Sequence, residues 1–172
     1  MSNIEVLIEE KEVRARISEL ADVLSRKYSD GDVLLVGILT GSVFFLTALA
    51  QEMTVPVEID FISASSYGSG TESSGHVNII KDLDRPLTGK NVIIAEDIID
   101  TGRTLKVIKE MILSQEPKSL DIVTLLDKPD RRAVDMKADY VGFRIPDAFV
   151  VGWGLDHDQK YRDLTFVGIL TE

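Results

Sequence analysis

The chain contains no cysteine and only two histidines among its 172 residues. Without cysteine, neither a disulfide framework nor a thiolate nucleophile is available. The two histidines, His76 and His157, lie far apart in the sequence and do not have the spacing of zinc ligands. No partner pattern surrounds either of them, so we expect both to be non-catalytic. These absences exclude disulfide-stabilised scaffolds and thiol-dependent enzymes.

Long apolar runs and excess positive charge are also missing. No apolar stretch is long enough to span a bilayer, and the N-terminal Met-Ser-Asn-Ile-Glu-Val is not a cleavable signal, so we expect a cytoplasmic protein without a membrane partner. The chain has 19 Lys and Arg against 29 Asp and Glu, which gives a net charge of −10. Because nucleic-acid phosphates demand a basic surface, nucleic acid is disfavoured as a partner, whereas a small phosphorylated ligand is not.

What is present indicates one α/β domain over residues 1–172. A hydrophobic content of 44% and a charged content of 28% are ordinary for a soluble globular protein of this size. Helical spacing or composition predicts helices, and continuous apolar runs predict buried strands. The predicted helices are 9–28, 43–52 and 103–114; the predicted strands are 33–39, 55–62, 77–80, the run before Glu96, 120–126, 140–145, 149–151 and 165–170. Their alternation predicts a mainly parallel sheet, with a core at about 33–145 and a small hood from the N-terminal segment and about 146–172.

The loops that follow the buried strands are candidate ligand sites, since ligands of open α/β sheets bind beyond the carboxyl ends of the strands. Three loops fall there: Thr40-Gly41-Ser42, which we interpret as a turn and helix cap, the acidic segment near residue 100, and the segment after Leu126. A fourth stretch, Ser63 to Gly75, is small and polar throughout. A loop of that length in a compact domain is a functional lid or a linker, and plain disorder is the other interpretation.

The most informative stretch is Val-Ile-Ile-Ala-Glu-Asp-Ile-Ile-Asp-Thr-Gly-Arg-Thr at 92–104. An apolar run ends in Glu96 and Asp97, Asp100 follows, and a Gly turn opens a helix. An ordinary capped helix start would explain Asp100 but not Glu96 and Asp97, because unpaired buried charge is costly. A helix N-terminus with two nearby hydroxyls suits a monoester phosphate, and acids beside it suit the hydroxyls and metal of a sugar phosphate.

The segment 94–104 resembles the phosphoribosyl-pyrophosphate motif of type I phosphoribosyltransferases, and its Glu-Asp-Ile-Ile-Asp-Thr-Gly form resembles the hypoxanthine-guanine branch most strongly. Four further segments match the family in order over about 33–170. Leu39–Ser42 resembles the pyrophosphate loop, and Ser66–Gly68 the mobile catalytic loop. Leu126–Pro129 resembles the segment of the base-selecting lysine, and Phe149–Asp156 with Tyr161–Asp163 resembles the tail that stacks on the purine and binds pyrophosphate.

The resemblance implies the type I phosphoribosyltransferase fold and its reaction. Ribose 5-phosphate would pass from phosphoribosyl pyrophosphate to hypoxanthine or guanine, giving IMP or GMP plus pyrophosphate in purine salvage. Mg²⁺ would be the cofactor, and a homo-oligomer, either dimer or tetramer, would be the assembly. One lysine does not report the substituent at the purine two position, so a xanthine-preferring or broad 6-oxopurine enzyme stays open. A nucleic-acid-binding regulator on the same fold fits the acidic net charge less well. A purely structural protein fits the acidic motif less well.

The resemblance also assigns roles to residues of this chain. The ribose and its 5-phosphate would contact Glu96, Asp97, Asp100, Thr101, Gly102, Arg103 and Thr104. Glu96 and Asp97 would also bind the metal, and Asp100 would accept the proton of the purine ring. Pyrophosphate would contact Thr40, Gly41, Ser66, Tyr67 and Arg162. The family usually has a basic residue where this chain has Thr40, so a positive charge is missing from that loop.

The purine would contact Lys128, Phe149, Val150 and Asp156, and Asp156 would also hold a second Mg²⁺. Lys128 has only donors, so it suits a carbonyl oxygen at the six position of the purine. Each residue has a plainer interpretation beside this one. Lys128 would be a solvated loop lysine, Phe149 a core aromatic, and Asp156 and Arg162 members of surface ion pairs.

Overall fold

The computed structural model describes residues 3–66 and 77–171 of the chain. In chain order the elements are β1 (Asn3–Ile8), α1 (Glu10–Lys27), β2 (Val33–Leu39), α2 (Val43–Glu52), β3 (Val57–Ser66), β4 (Val77–Lys81), β5 (Asn91–Ile99), α3 (Arg103–Leu113), β6 (Ser119–Asp127), β7 (Tyr140–Arg144), β8 (Val150–Val151) and β9 (Val167–Thr171). One turn of 3₁₀ helix, Pro129–Arg131, follows β6. None of the helices in the described ranges is both long and apolar enough to cross a membrane.

The central sheet has the order β4-β3-β2-β5-β6-β7 and is parallel except for β4. The prediction of a mainly parallel sheet is therefore confirmed. Strand β2 is the first strand of this sheet in chain order. Strand β3 pairs with it on one side, and β5, which comes later in the chain, pairs with it on the other. Strand order thus reverses between β2 and β5, and such a switch point opens a crevice at the carboxyl ends of the two strands.

Both faces of the sheet are covered, which is why β2 reads as an unbroken apolar run. Successive side chains of a strand point to opposite faces. Leu34 and Val36 pack in the cluster that includes α3, whereas Val33 and Leu35 pack in the cluster that includes α1 and α2. Each of these four side chains is at most 1% exposed. Burial on both faces removes the alternation expected of a half-exposed strand.

Helix α3 holds the end of β5 in place. Leu105, Ile108 and Ile112 lie on one face of the helix and are buried against the sheet. The spacing of three and four residues between them is that of a single helical face, which predicted this helix from sequence. Since that face is fixed on the sheet, the helix N-terminus is held at the carboxyl end of β5.

A second, three-stranded antiparallel sheet joins the two ends of the chain in the order β1-β9-β8. Asn3 pairs with Thr171, and Val150 pairs with Ile169. This hood of terminal segments carries the C-terminal residues of the candidate site. Strand β1 was not predicted, because its partner lies at the other end of the sequence and its side chains do not alternate cleanly. The residue limits drawn for core and hood stay predictions.

The start of the predicted polar loop belongs to strand β3 instead. Ala64 pairs with Ile79 and Ser65 with Asn78 in the antiparallel ladder to β4. The loop prediction is therefore wrong for 63–66. Backbone hydrogen bonds to β4 hold these residues in a strand, although their side chains contribute little to the hydrophobic core. The rest of the predicted loop, from 67 to 75, lies outside the described residues.

Candidate active site

A cavity of about 360 Å³ opens at the carboxyl ends of β2 and β5, at the switch point of the sheet. Its lining comes from segments that are distant in sequence: Thr40, Gly41, Asp97, Ile98, Asp100, Lys128, Phe149, Val150, Leu155, Asp156 and Arg162. A smaller recess of about 130 Å³ is formed by Glu96 and residues 98–105. Together these two spaces contain every predicted site residue except Ser66 and Tyr67. Ser66 ends β3, and Tyr67 lies outside the described residues.

The smaller recess is built on the N-terminus of α3. Gly102 adopts a left-handed conformation, φ +80°, and a Cβ there would meet Met136 Cβ at 3.0 Å. Glycine is therefore required on two counts, backbone conformation and space. No side chain caps the helix at Gly102, and the Arg103 N–H donates a long bond, 3.4 Å, to Thr101 Oγ1. An uncapped helix N-terminus lining a small recess is favourable for a phosphate group.

Glu96, which is buried, and Asp97, which is partly buried, are adjacent acids near the C-terminal end of β5. Burial raises the pKa of Glu96 well above its usual range, and the adjacent Asp97 carboxylate raises it further. Burial likewise raises the pKa of Asp97. As neighbours on a strand, they face different spaces: Glu96 lines the smaller recess and Asp97 the larger cavity. Because the charged forms are disfavoured here, a cation or hydroxyl donors arriving in these spaces would be strongly stabilised.

Three backbone segments meet at the Asp97 carboxylate. A Cβ built on Gly41 would lie 1.7 Å from Asp97 Oδ2, and one built on Gly154 would lie 1.9 Å from the Gly41 carbonyl oxygen. Asp97 Oδ1 accepts a hydrogen bond of 2.7 Å from the Ile98 N–H. The loop after β2, the end of β5 and the C-terminal segment thus fit together only because two of the contacting residues lack side chains.

The loop after β2 differs in one detail from its sequence interpretation. Ser42 was expected to cap α2, but its hydroxyl donates a 2.7 Å bond back to the Ile38 carbonyl, and no side chain caps the helix. The buried serine therefore ties the turn to the end of β2. Thr40, which follows a cis peptide bond after Leu39, is exposed at the rim of the cavity.

The C-terminal segment brings Asp156 and Arg162 to the cavity as a bonded pair. Arg162 Nη2 lies 3.0 Å from Asp156 Oδ1, and its Nη1 donates a 2.6 Å bond to the Gly154 carbonyl. The second Asp156 oxygen accepts a 2.8 Å bond from the Gln159 N–H. The ion-pair interpretation of these residues therefore holds in this structure, and both also face the cavity. A planar guanidinium of this kind can still accept an anion on its remaining donors.

Lys128 and Phe149 lie in surroundings that argue against their plainer interpretations. Lys128 is only 8% exposed, lines the cavity, and has its backbone N–H bonded to the Ile99 carbonyl at 2.9 Å. Phe149 is 53% exposed, although core aromatics are buried. Its ring packs edge-on against His157, with centroids 5.4 Å apart and an interplanar angle of 86°. A buried amine and an exposed aromatic face beside one cavity suit a flat, oxygen-bearing ligand.

A metal ion would need oxygen ligands from a substrate. Within 3–66 and 77–171, no group of three or more His, Cys, Asp or Glu side chains is placed to hold an ion by itself. Mg²⁺ is commonly bound through one or two carboxylates together with substrate phosphates and water. Glu96 and Asp97 provide that kind of incomplete site, and their raised pKa values indicate that a cation would relieve their charge.

Two arginines that contact the end of β5 beside the smaller recess were missed from the sequence. Arg132 Nη1 donates to the Asp100 carbonyl at 2.6 Å and to the Ile99 carbonyl at 3.3 Å, and its Nη2 pairs with Asp127. Arg131 Nε bonds the Asp100 carboxylate at 3.1 Å. The sequence signal, two adjacent arginines shortly after Lys128, belongs to no motif. Their role became visible only when the 3₁₀ turn brought them against the end of β5.

Comparison with known proteins places this geometry in a family. The phosphoribosyl transferase domain model matches residues 6–160. The chain belongs to the phosphoribosyl transferase family. The structures agree with that membership: a hypoxanthine phosphoribosyltransferase from Staphylococcus aureus superposes with a TM-score of 0.94 at 47% identity, over 97% of this chain and 91% of that one. The expectation of a type I phosphoribosyltransferase fold is confirmed.

Curated members of the phosphoribosyl transferase family are similar over nearly their full lengths. The hypoxanthine phosphoribosyltransferase of Salmonella typhimurium is 52% identical over 96% of this chain and 94% of its own length. The hypoxanthine-guanine phosphoribosyltransferase of Bacillus subtilis is 47% identical over 96% of this chain and 92% of its own length. The resemblance read from the motifs to the hypoxanthine-guanine branch is thus confirmed.

The contact between Gly41 and Asp97 predicts a specific pair of stability effects. Gly41→Ala should lower the free energy of unfolding by about 1–3 kcal/mol, because its methyl group would overlap the Asp97 carboxylate. In an Asp97→Ala background the same substitution should cost far less, since the three heavy atoms nearest to the new Cβ all belong to the Asp97 carboxylate. Urea unfolding of the wild type, both single variants and the double variant measures the difference. An equal cost in both backgrounds would contradict this account of the glycine.

Proposed function

We propose that this chain is a hypoxanthine-guanine phosphoribosyltransferase of purine salvage. It transfers ribose 5-phosphate from phosphoribosyl pyrophosphate to hypoxanthine or guanine and yields IMP or GMP plus pyrophosphate. The observation that carries the proposal is the joining of two recesses at the end of β5. One is built on an uncapped helix N-terminus, and the other is lined by Lys128 and Phe149. Asp100 lines both spaces, and Asp97 lines the larger one.

The phosphoribosyl donor would extend across both recesses. Its 5-phosphate binds the N–H groups and hydroxyls of 101–104, and the ribose hydroxyls bind Glu96 and Asp97. The pyrophosphate lies toward Thr40, Gly41 and Arg162, where backbone N–H groups of the loop and a guanidinium provide donors. Asp156, now bonded to Arg162, would exchange part of that pairing for contacts to the ligand.

Glu96 and Asp97 would hold Mg²⁺, and Asp156 would hold a second ion. The bound metal would supply positive charge that stabilises the negative charge developing on the pyrophosphate leaving group. The Glu96 and Asp97 carboxylates would hold the ribose hydroxyls, which would otherwise be free to rotate. Because Asp97 is packed against Gly41, its fixed position would keep the anomeric carbon oriented toward the incoming base.

Asp100 would accept the proton from the imidazole ring of the purine as its nitrogen attacks the anomeric carbon. Its carboxylate lines both recesses, so it reaches the place where ribose and base meet. A positioned general base contributes about 10²–10⁴-fold to the rate of such a step. The carboxylate is half exposed in the ligand-free state, and the base itself would cover it.

Base selection would come from the other wall of the cavity. Lys128 donates a hydrogen bond to the purine oxygen at the six position, an interaction that the amino group of adenine does not accept. Phe149 stacks on the ring and the backbone of Val150 reads its edge. Because Phe149 is exposed and braced by His157, its face is free for stacking before the base arrives. Thr40 supplies no charge, so pyrophosphate binding relies on the backbone of its loop.

The setting of the enzyme follows from the same proposal. We expect it to act in the cytoplasm as a homo-oligomer, dimer or tetramer, with small-molecule substrates and no nucleic-acid or membrane partner. By the family resemblance, Ser66 and Tyr67 would contact the pyrophosphate and help to exclude water from the reactive sugar.

A pyrophosphate-release assay tests the proposal directly. The protein, phosphoribosyl pyrophosphate and Mg²⁺ are combined separately with hypoxanthine, guanine, xanthine and adenine. We expect release with hypoxanthine and guanine, loss of release in EDTA, and almost none with adenine. Xanthine as the best acceptor would favour the xanthine-preferring alternative. Activity with adenine alone, or the absence of activity with all four bases, would overturn the proposal.

A single substitution tests the role of Asp100. Asp100→Asn should lower kcat by about 10²–10⁴-fold, because an amide does not accept the proton, and should leave the affinity for phosphoribosyl pyrophosphate nearly unchanged. Steady-state kinetics and calorimetric binding measure the two quantities. Asp130→Asn, at a nearby exposed position, is the matched control and should retain wild-type turnover. Near-normal kcat for Asp100→Asn would remove this residue from the role.

A further inference from the structure

We propose that Arg131 is a positioning residue for the Asp100 carboxylate. Arg131 Nε bonds Asp100 Oδ1 at 3.1 Å and lies 3.8 Å from Asp147 Oδ1. It does not line the cavity, so it acts through Asp100 rather than on the substrate. The inference rests on the proposed role of Asp100 as proton acceptor.

The local geometry explains why a side chain is needed here. Asp100 follows β5 and precedes the left-handed Gly102, so its backbone lies in a turn and not in a ladder. The backbone is fixed by Arg132, whose Nη1 donates to the Asp100 carbonyl at 2.6 Å. Without a partner, the carboxylate would rotate about its own side-chain bonds, since 42% of it is exposed. Arg131 holds Oδ1 and leaves the other oxygen to accept the purine proton.

Arg131 also connects the three segments that handle the base. The 3₁₀ turn over Pro129–Arg131 is closed by a 3.1 Å bond from the Arg131 N–H to the Lys128 carbonyl. Lys128 and Arg131, whose side chain bonds Asp100, are therefore three residues apart in one tight turn. The same Nε also lies 3.8 Å from Asp147 Oδ1, two residues before Phe149. The guanidinium thus contacts both the proton acceptor and the segment that carries the stacking ring.

The electrostatics set the size of the expected effect. Arg131 and Asp100 are each about half exposed, 48% and 42%, and such pairs are screened by water. The two carboxylates that face Arg131, Asp100 and Asp147, hold it in place without burying it. We therefore expect removal of Arg131 to impair orientation and not folding. The loss in kcat should be about three- to fivefold, the range of a half-exposed ion pair.

A double-mutant cycle in the full-length enzyme tests the inference. Arg131→Gln should lower kcat about three- to fivefold with little change in KM for phosphoribosyl pyrophosphate, because the guanidinium is outside the cavity. Arg131→Lys should restore part of the loss. In an Asp100→Asn background, Arg131→Gln should cause no further decrease in the residual turnover. Arg144→Gln, at an exposed arginine that ends β7, is the matched control and should behave as wild type.

The outcomes separate this inference from the proposed function. An equal loss for Arg131→Gln with and without Asp100 would mean that Arg131 does not act through that carboxylate, and would overturn the inference. No loss in either background would also overturn it. In both of these cases Asp100→Asn alone would still abolish most turnover, so the role of Asp100 would stand. Near-normal kcat for Asp100→Asn would overturn both together.

Discussion

The structure depends on two acids held in a place where acids are unfavourable. Glu96 and Asp97 lie near the C-terminal end of the buried strand β5, and burial raises the pKa of both carboxyls. Their hydrogen bonds join them to each other and to neighbouring backbone N–H groups of the strand, and Arg162 is the cation that lowers the pKa of Asp97 without offsetting burial. A ligand that brings hydroxyls and a divalent cation would relieve this cost, as the metal-bound sugar phosphate of the proposed reaction would.

The rest of the fold places other groups around this pair with little freedom. The reversal of strand order between β2 and β5 brings the loop at Gly41 against Asp97, and the absence of a side chain at Gly41 and Gly154 permits the contact. Burial of one face of α3 fixes the phosphate recess. The hood then brings Phe149 and Arg162 over the cavity from the far end of the sequence. Binding geometry therefore follows from packing that no single segment provides.

The sequence predicted the parts of this arrangement that are local. Apolar periodicity identified α1 and α3, composition identified α2, and apolar runs identified the strands of the parallel sheet. A motif of adjacent acids marked the C-terminal part of β5. It did not predict β1, whose partner is β9, nor the ladder that extends β3 through Ser65. The contacts of Arg131 and Arg132 were missed for the same reason. They depend on which surfaces meet after folding, and an arginine pair in a loop carries no periodic signal.

A crystal structure of the protein with IMP, pyrophosphate and Mg²⁺ tests the central claim most directly. The account predicts the 5-phosphate at the N-terminus of α3, on 101–104, and the ribose hydroxyls at Glu96 and Asp97 with the metal beside them. It also predicts the purine on Phe149, with its oxygen toward Lys128 and its imidazole nitrogen facing Asp100. A phosphate bound away from the α3 N-terminus, or a base that does not contact Lys128, would contradict it.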